Sequence, residues 1–234
     1  MTGAARPVSL AFLSALHVPP PDLVHLAADA GFDMVGALRL NRAGDGSGHD
    51  LLGDARLRRR TTTALEATGL PVLDVEVFRV RAGTRASEAE PLLTVGAELG
   101  ARFLLCTVED VEPERRAAAF ADLCRLAASY ALRCVVEPMV FAAVRTPAEA
   151  AAMIRAGDAP GAGVLVDALH LARAGGTPGD LDHLAAELLP YVQVCDAATA
   201  GPAPDRATAV AEAVGLRLPP GDGVLPLQDL LRRL

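Results

Sequence analysis

Short apolar runs rich in Val, Leu and Phe begin near Val8, Met34, Val72, Phe103, Cys134, Val164 and Tyr191, and longer stretches with helical periodicity lie between them. The starts recur every 25 to 40 residues or so, roughly the length of one strand and helix with their turns. Runs that are apolar on both faces and alternate with helices specify a parallel sheet covered by helices. No linker-like or low-complexity stretch interrupts the series, so one domain over residues 1–234 is expected.

The helices carry their own start and stop signals. Pro20-Pro21-Asp22 opens a run through Leu23, Leu26 and Ala30 that stops at Gly31, with Pro in the first turn and Gly past the last. Thr146-Pro147-Ala148-Glu149 predicts an N-cap at Thr146 completed by Glu149 in a capping box. Pro113 to Leu132 reads as one long amphipathic helix, and Leu227 to Leu234 as a short one with Leu227, Leu230, Leu231 and Leu234 on its buried stripe. A doubly wound open sheet would place a Gly-rich phosphate turn after the first strand, but the chain there reads Ser14-Ala15-Leu16-His17-Val18-Pro19. The expected fold is therefore α/β, a TIM-type (β/α) barrel in which seven strands are counted and the eighth is lacking.

Composition narrows the function. Apolar residues make up 51% of the chain but aromatics only 3%, so the core is aliphatic, as layered barrel packing requires. All 22 basic residues are Arg, which excludes a lysine Schiff base. The net charge of -7 argues against a nucleic-acid partner, and the one basic run, Arg56-Leu57-Arg58-Arg59-Arg60, reads as a solvated helix start. Cys106, Cys124, Cys134 and Cys195 have no metal-type spacing and read as buried free thiols in a reducing compartment. Neither a leader-like segment at Met1 to Pro7 nor a membrane-length apolar run is seen, so a cytoplasmic protein without a membrane partner is expected.

Three of the apolar runs end on groups able to bind a metal: Val135-Val136-Glu137, Val164-Leu165-Val166-Asp167 and Tyr191-Val192-Gln193. Side chains at the C-terminal ends of barrel strands aim at one mouth, where Glu137, Asp167 and Gln193 would offer two carboxylates and an amide oxygen. Such a hard donor set favours Mn²⁺ or Mg²⁺ over structural zinc. His170, three residues past Asp167, would reach a substrate hydroxyl or carry a proton. Arg217, opening Arg217-Leu218-Pro219-Pro220-Gly221-Asp222-Gly223, would arch over the mouth and bind an anionic or polyhydroxylated substrate. His17 and Glu76, with Arg39, are further rim candidates for substrate, whereas His25, His49 and His183 read as surface groups.

These segments resemble the sugar phosphate isomerase/epimerase family, the xylose-isomerase-like barrels. The resemblance runs from the Val8 strand to the final Leu227 to Leu234 segment. It is carried by Val135-Val136-Glu137-Pro138, Asp167-Ala168-Leu169-His170, Val192-Gln193-Val194-Cys195-Asp196 and Arg217 through Gly223. It implies that Glu137, Asp167 and Gln193 ligate a divalent metal and that His170 and Arg217 contact substrate, with Glu137 and His170 in the catalytic set. The implied reaction is isomerisation or epimerisation beside a carbonyl through an enediolate. It also implies an eighth strand ending on a further Glu, which the 234 residues do not contain. Two other readings follow: a lyase that dehydrates a cyclic hydroxy-ketone, and a non-catalytic barrel completed by a partner. A small polyhydroxylated compound is the expected ligand, and self-association is left open.

Overall fold

The computed structural model describes residues 6–36, 38–40 and 48–234. The expectation for the N-terminal segment therefore lies, for Met1 to Ala5, outside the described residues. Chain contacts divide the protein into two compact units. The first is Met1–Phe78, Glu88–Leu105 and Ala127–Leu132; the second is Arg79–Ser87, Cys106–Leu126 and Arg133–Leu234.

In the first unit, β1 (Ser9–Ala11) leads through a 3-10 turn at Phe12–Ala15 into α1 (Pro20–Asp29). This helix forms where the prolines and the apolar spacing predict it: Leu23, Val24 and Ala27 are fully buried, and it stops before Gly31, whose φ of 79° is the left-handed value a helix end favours. β2 (Met34–Gly36) pairs in parallel with β1, and β3 (Leu38–Arg39) pairs in parallel with β4 (Asp74–Val80). Val35 of β2 also bridges Val72, so this run lies between β1 and the segment that leads into β4. The basic run lies on α2 (Ala55–Thr68), where Asp54 caps by accepting from the Arg56 and Leu57 N–H groups, both at 2.9 Å. α3 (Glu90–Glu98) leads into β5 (Phe103–Val108), every residue of which is buried.

The second unit carries α4 (Pro113–Ser129), β6 (Arg133–Val136), α5 (Pro147–Gly157), β7 (Gly163–Val164) and β8 (Val166–Asp167). α4 ends three residues before the expected Leu132, because Ala131 takes a φ of 60° that breaks helical geometry. At α5 half of the expected capping box forms. Thr146 Oγ1 accepts from Glu149 N–H at 3.2 Å, but the Glu149 carboxylate reaches past the cap to Arg145 N–H at 2.7 Å. β7 pairs in parallel with β6, and two residues later β8 pairs in parallel with β9 (Val192–Gln193). Leu165 between them still donates to Val136 O at 2.9 Å, so this is one strand changing partners.

α6 (Ala168–Arg173) follows β8 directly, and α7 (Arg206–Gly215) and α8 (Leu227–Arg233) come after β9. Val166, Leu169, Leu181, Ala213, Leu225 and Leu230 form the apolar cluster that packs these elements together. Of the stripe expected on α8, Leu230 is buried and Leu227 and Leu234 pack against this cluster, but Leu231 is 41% exposed.

The seven apolar runs are therefore all strands, two of them divided, with the order β3-β4-β5-β6-β7 in the largest sheet. Among the described residues no ladder closes the strands into a ring, and after β9 only an isolated antiparallel bridge, Asp196 to Leu218, occurs. None of the described helices is long and apolar enough to cross a membrane. The four cysteines are buried, and none is in a disulfide.

Candidate functional site

The second unit gathers acids at strand ends for a local reason. β6 runs apolar through Val136, and the next residue, Glu137, is anchored by its N–H on Cys106 O at 2.9 Å. Asp167 ends β8 and is also the N-cap of α6, its Oδ1 accepting from His170 N–H at 3.0 Å. That cap fixes the carboxylate and, one turn on, brings the His170 ring to the same place. Glu137, Asp167 and His170 are all buried, and each offers one ligand atom such that these atoms lie within 4.8 Å of one another. Among the described residues no other group of three His, Cys, Asp or Glu does so.

Burial pushes the His170 imidazole below its ordinary pKa, and the Arg217 charge adds to this against the raising effect of Asp167. The ring is thus neutral at neutral pH, the form that binds metals. Its Nε2 lies 3.7 Å from Glu137 Oε1, and its ring packs edge-on against Phe141, with centroids 5.5 Å apart. Asp167 is also fully enclosed. Burial alone would raise its pKa, but the charge of Arg217 and the bonds from Arg217 and the His170 N–H hold it below the usual carboxylate value. Two carboxylates and a neutral imidazole at this spacing match a divalent cation with ligands about 2.0 to 2.6 Å from it.

Arg217 is turned inward. Its Nη1 donates to Asp167 Oδ2 at 2.6 Å and to Cys195 Sγ at 3.0 Å, its Nε donates to Ala213 O at 2.8 Å, and its Nη2 is 3.5 Å from His170 Nε2. The sequence reading placed this side chain over the mouth; its guanidinium is paired with Asp167. Gln193, read as the third ligand, is the register partner of Asp167 on the neighbouring strand and is half-buried. His170, read as meeting substrate, has a ring nitrogen within 4.8 Å of carboxylate oxygens of Glu137 and Asp167.

The remaining candidates belong to the first unit. Glu76 is buried on β4 and its carboxylate is 3.5 Å from Arg39 Nε, a strand-to-strand ion pair. His17 is exposed, as are His25 and His183, while His49 is half-buried with its ring 6.4 Å from that of Phe12.

Asp196 was not among the candidates. It is buried, its Oδ1 accepts from Ala197 and Leu225 N–H, both at 2.9 Å, and its Oδ2 accepts from Gly221 N–H at 3.0 Å. With the Leu218 bridge it holds the loop that follows Arg217. The sequence signal was an acid three residues after a strand end, with a Gly-rich loop downstream.

A family model described as xylose isomerase-like TIM barrel matches residues 24–234. No curated protein matches the chain. Among solved structures, a xylose isomerase-like TIM barrel/4-hydroxyphenylpyruvate dioxygenase fusion protein aligns with a TM-score of 0.81 at 22% identity over 98% of this chain, which spans 36% of that longer protein. The IolI protein with a bound zinc atom aligns with a TM-score of 0.74 at 14% identity, covering 97% of this chain and 84% of that one. The 3-keto-D-glucoside 4-epimerase YcjR from E. coli, in its apo form, gives a TM-score of 0.68 at 16% identity, covering 98% and 87%. At these identities the likeness is one of fold.

Proposed function

The chain belongs to the xylose isomerase-like TIM barrel family, and from that premise we propose that it isomerises or epimerises a small polyhydroxylated carbonyl compound, a sugar, keto-sugar or cyclitol, with a divalent metal. The observation that carries the reading is the convergence of Glu137, Asp167 and His170, all buried, with ligand atoms within 4.8 Å of one another. Solved structures of the same fold include one with bound zinc and a keto-sugar epimerase, which supports the same reading.

Glu137, Asp167 and the neutral His170 would hold the metal, with the Gln193 amide oxygen as a further donor. When bound, Mn²⁺ or Mg²⁺ would polarise a carbonyl and acidify the adjacent C–H bond. The Glu137 carboxylate would take the proton from that carbon. Its delivery to the neighbouring carbon, with a hydroxyl proton passing between the enediolate oxygens, gives the isomer, whereas protonation of the same carbon from the opposite face by a second group gives the epimer. Arg217 would offer its donors to the substrate's hydroxyl or anionic oxygens. Phe141 against the imidazole keeps that side of the site apolar. Glu76, paired with Arg39, and His17, exposed after the first strand, are assigned no step.

The test is incubation with ketoses and 3-keto polyols in D₂O with MnCl₂. Deuterium at the carbon beside the carbonyl, with appearance of the epimer or isomer, is expected. Glu137→Gln should lower turnover by roughly 10²- to 10⁴-fold, the usual share of a general base. Loss of water from a cyclic hydroxy-ketone would transfer the chain to the lyases, and absence of exchange on every substrate would remove the enzymatic reading.

A further inference from the structure

We infer that Arg217 is a resident counter-cation of the Asp167/His170 site, which a divalent metal must displace, so that metal binding and the Arg217–Asp167 pair are antagonistic. This rests on the metal-centre reading above and adds to it a competitor built into the chain.

Arg217 Nη1 lies 2.6 Å from Asp167 Oδ2, and its Nη2 lies 3.5 Å from His170 Nε2. Asp167 Oδ1 accepts the His170 N–H that caps α6, so Oδ2 is the less encumbered of the two oxygens. The guanidinium therefore stands, as a cation, against two of the three side chains that would hold a metal.

Charge reinforces the conflict. Arg217 is largely buried, and its guanidinium carries a permanent positive charge. A fixed positive charge and a divalent ion a few ångströms apart in a site screened from water repel strongly. The same planar guanidinium is also held by its Nε on the Ala213 carbonyl at 2.8 Å, so Nε, Nη1 and Nη2 would move together when a metal displaces it. Displaced in this way, it presents free donors of the kind a polyhydroxylated or anionic substrate requires, which would order the events as metal first and substrate second.

Calorimetric titration of the full chain with MnCl₂ tests this, comparing wild type with Arg217→Met and with Asp167→Asn, each checked for folding by thermal melting. Arg217→Met should bind Mn²⁺ about tenfold tighter or more, and Asp167→Asn should lose binding. A second readout uses wild type alone. Millimolar Mn²⁺ should speed modification of Arg217 by phenylglyoxal, followed by peptide mass spectrometry, while Arg173, buried against Glu212, stays unchanged as the internal reference. Equal or weaker Mn²⁺ affinity in a folded Arg217→Met chain, or protection of Arg217 by Mn²⁺, overturns the antagonism and leaves the metal centre standing. If Arg217→Met does not fold, the labelling result decides. If neither wild type nor Arg217→Met binds Mn²⁺, the metal-centre reading falls and this inference falls with it.

Discussion

Asp196 shows how a single side chain can set the position of a loop that lies far along the chain. Its carboxylate takes N–H groups from residues 1, 25 and 29 positions onward, and its backbone exchanges two further bonds with Leu218. Replacing it by Asn sets an amide NH₂ against backbone donors, so Asp196→Asn should cost about 1 to 3 kcal/mol in urea or thermal unfolding. The pH dependence has a definite sign. Burial would raise the Asp196 pKa, but the N–H groups of Leu225, Ala197, Gly221 and Gly223 outweigh it and lower the folded value. A depressed folded pKa contributes stability that is complete above the unfolded value near 4 and is lost as pH falls through the folded value. Urea melts stepped down from pH 6 should therefore show a steeper acid loss in wild type than in Asp196→Asn. Parallel slopes would mean that the loop does not depend on this carboxylate.

At the scale of elements, the contact between α4 and α5 depends on a missing side chain. A Cβ on Gly157, the last residue of α5, would collide with the Ala117 carbonyl oxygen and press on the Ala121 side chain. Gly157→Ala should destabilise the chain by roughly 1 to 3 kcal/mol, the usual range for overpacking, despite the better helix propensity of Ala. A melting temperature at or above wild type would show that the helices can slide apart freely.

The elements also show what was legible in the sequence. The ends of α1 and α2 follow from Pro, Asp and Gly signals that act within one turn, and each apolar run announces its strand. The early end of α4 was not legible, since Ala131 adopts its left-handed φ with no Gly or Asn to mark it. The division of Val164 to Asp167 between two partners depends on tilt within the sheet, which periodicity does not encode. Within the site, Glu137 and Asp167 were legible because an acid closing an apolar run needs a partner. That His170 stands beside them follows from the α6 cap, and that Arg217 turns inward depends on Ala213 and Cys195, contacts made only after folding.

For the whole molecule, the placement of its cysteines has a practical use. All four, Cys106, Cys124, Cys134 and Cys195, fall within the second compact unit, and the first has none. All four are buried; contact with Cys134 and then burial push the Cys124 thiol well up, and for Cys195 burial is the leading cause of a rise. A thiol held protonated and out of water is inert to alkylation until its surroundings open. Iodoacetamide uptake under native conditions is therefore a clock for opening of the second unit alone, whereas circular dichroism follows helices in both. The chain has no Trp to serve as a fluorescent reporter, which makes the thiols the more useful. If the two units unfold as one, labelling and ellipticity should give the same midpoint in urea. A labelling midpoint at lower urea would mean that the half bearing Glu137, Asp167 and His170 opens first, so that a ligand of that site would be recognised by slowed alkylation before any substrate is known.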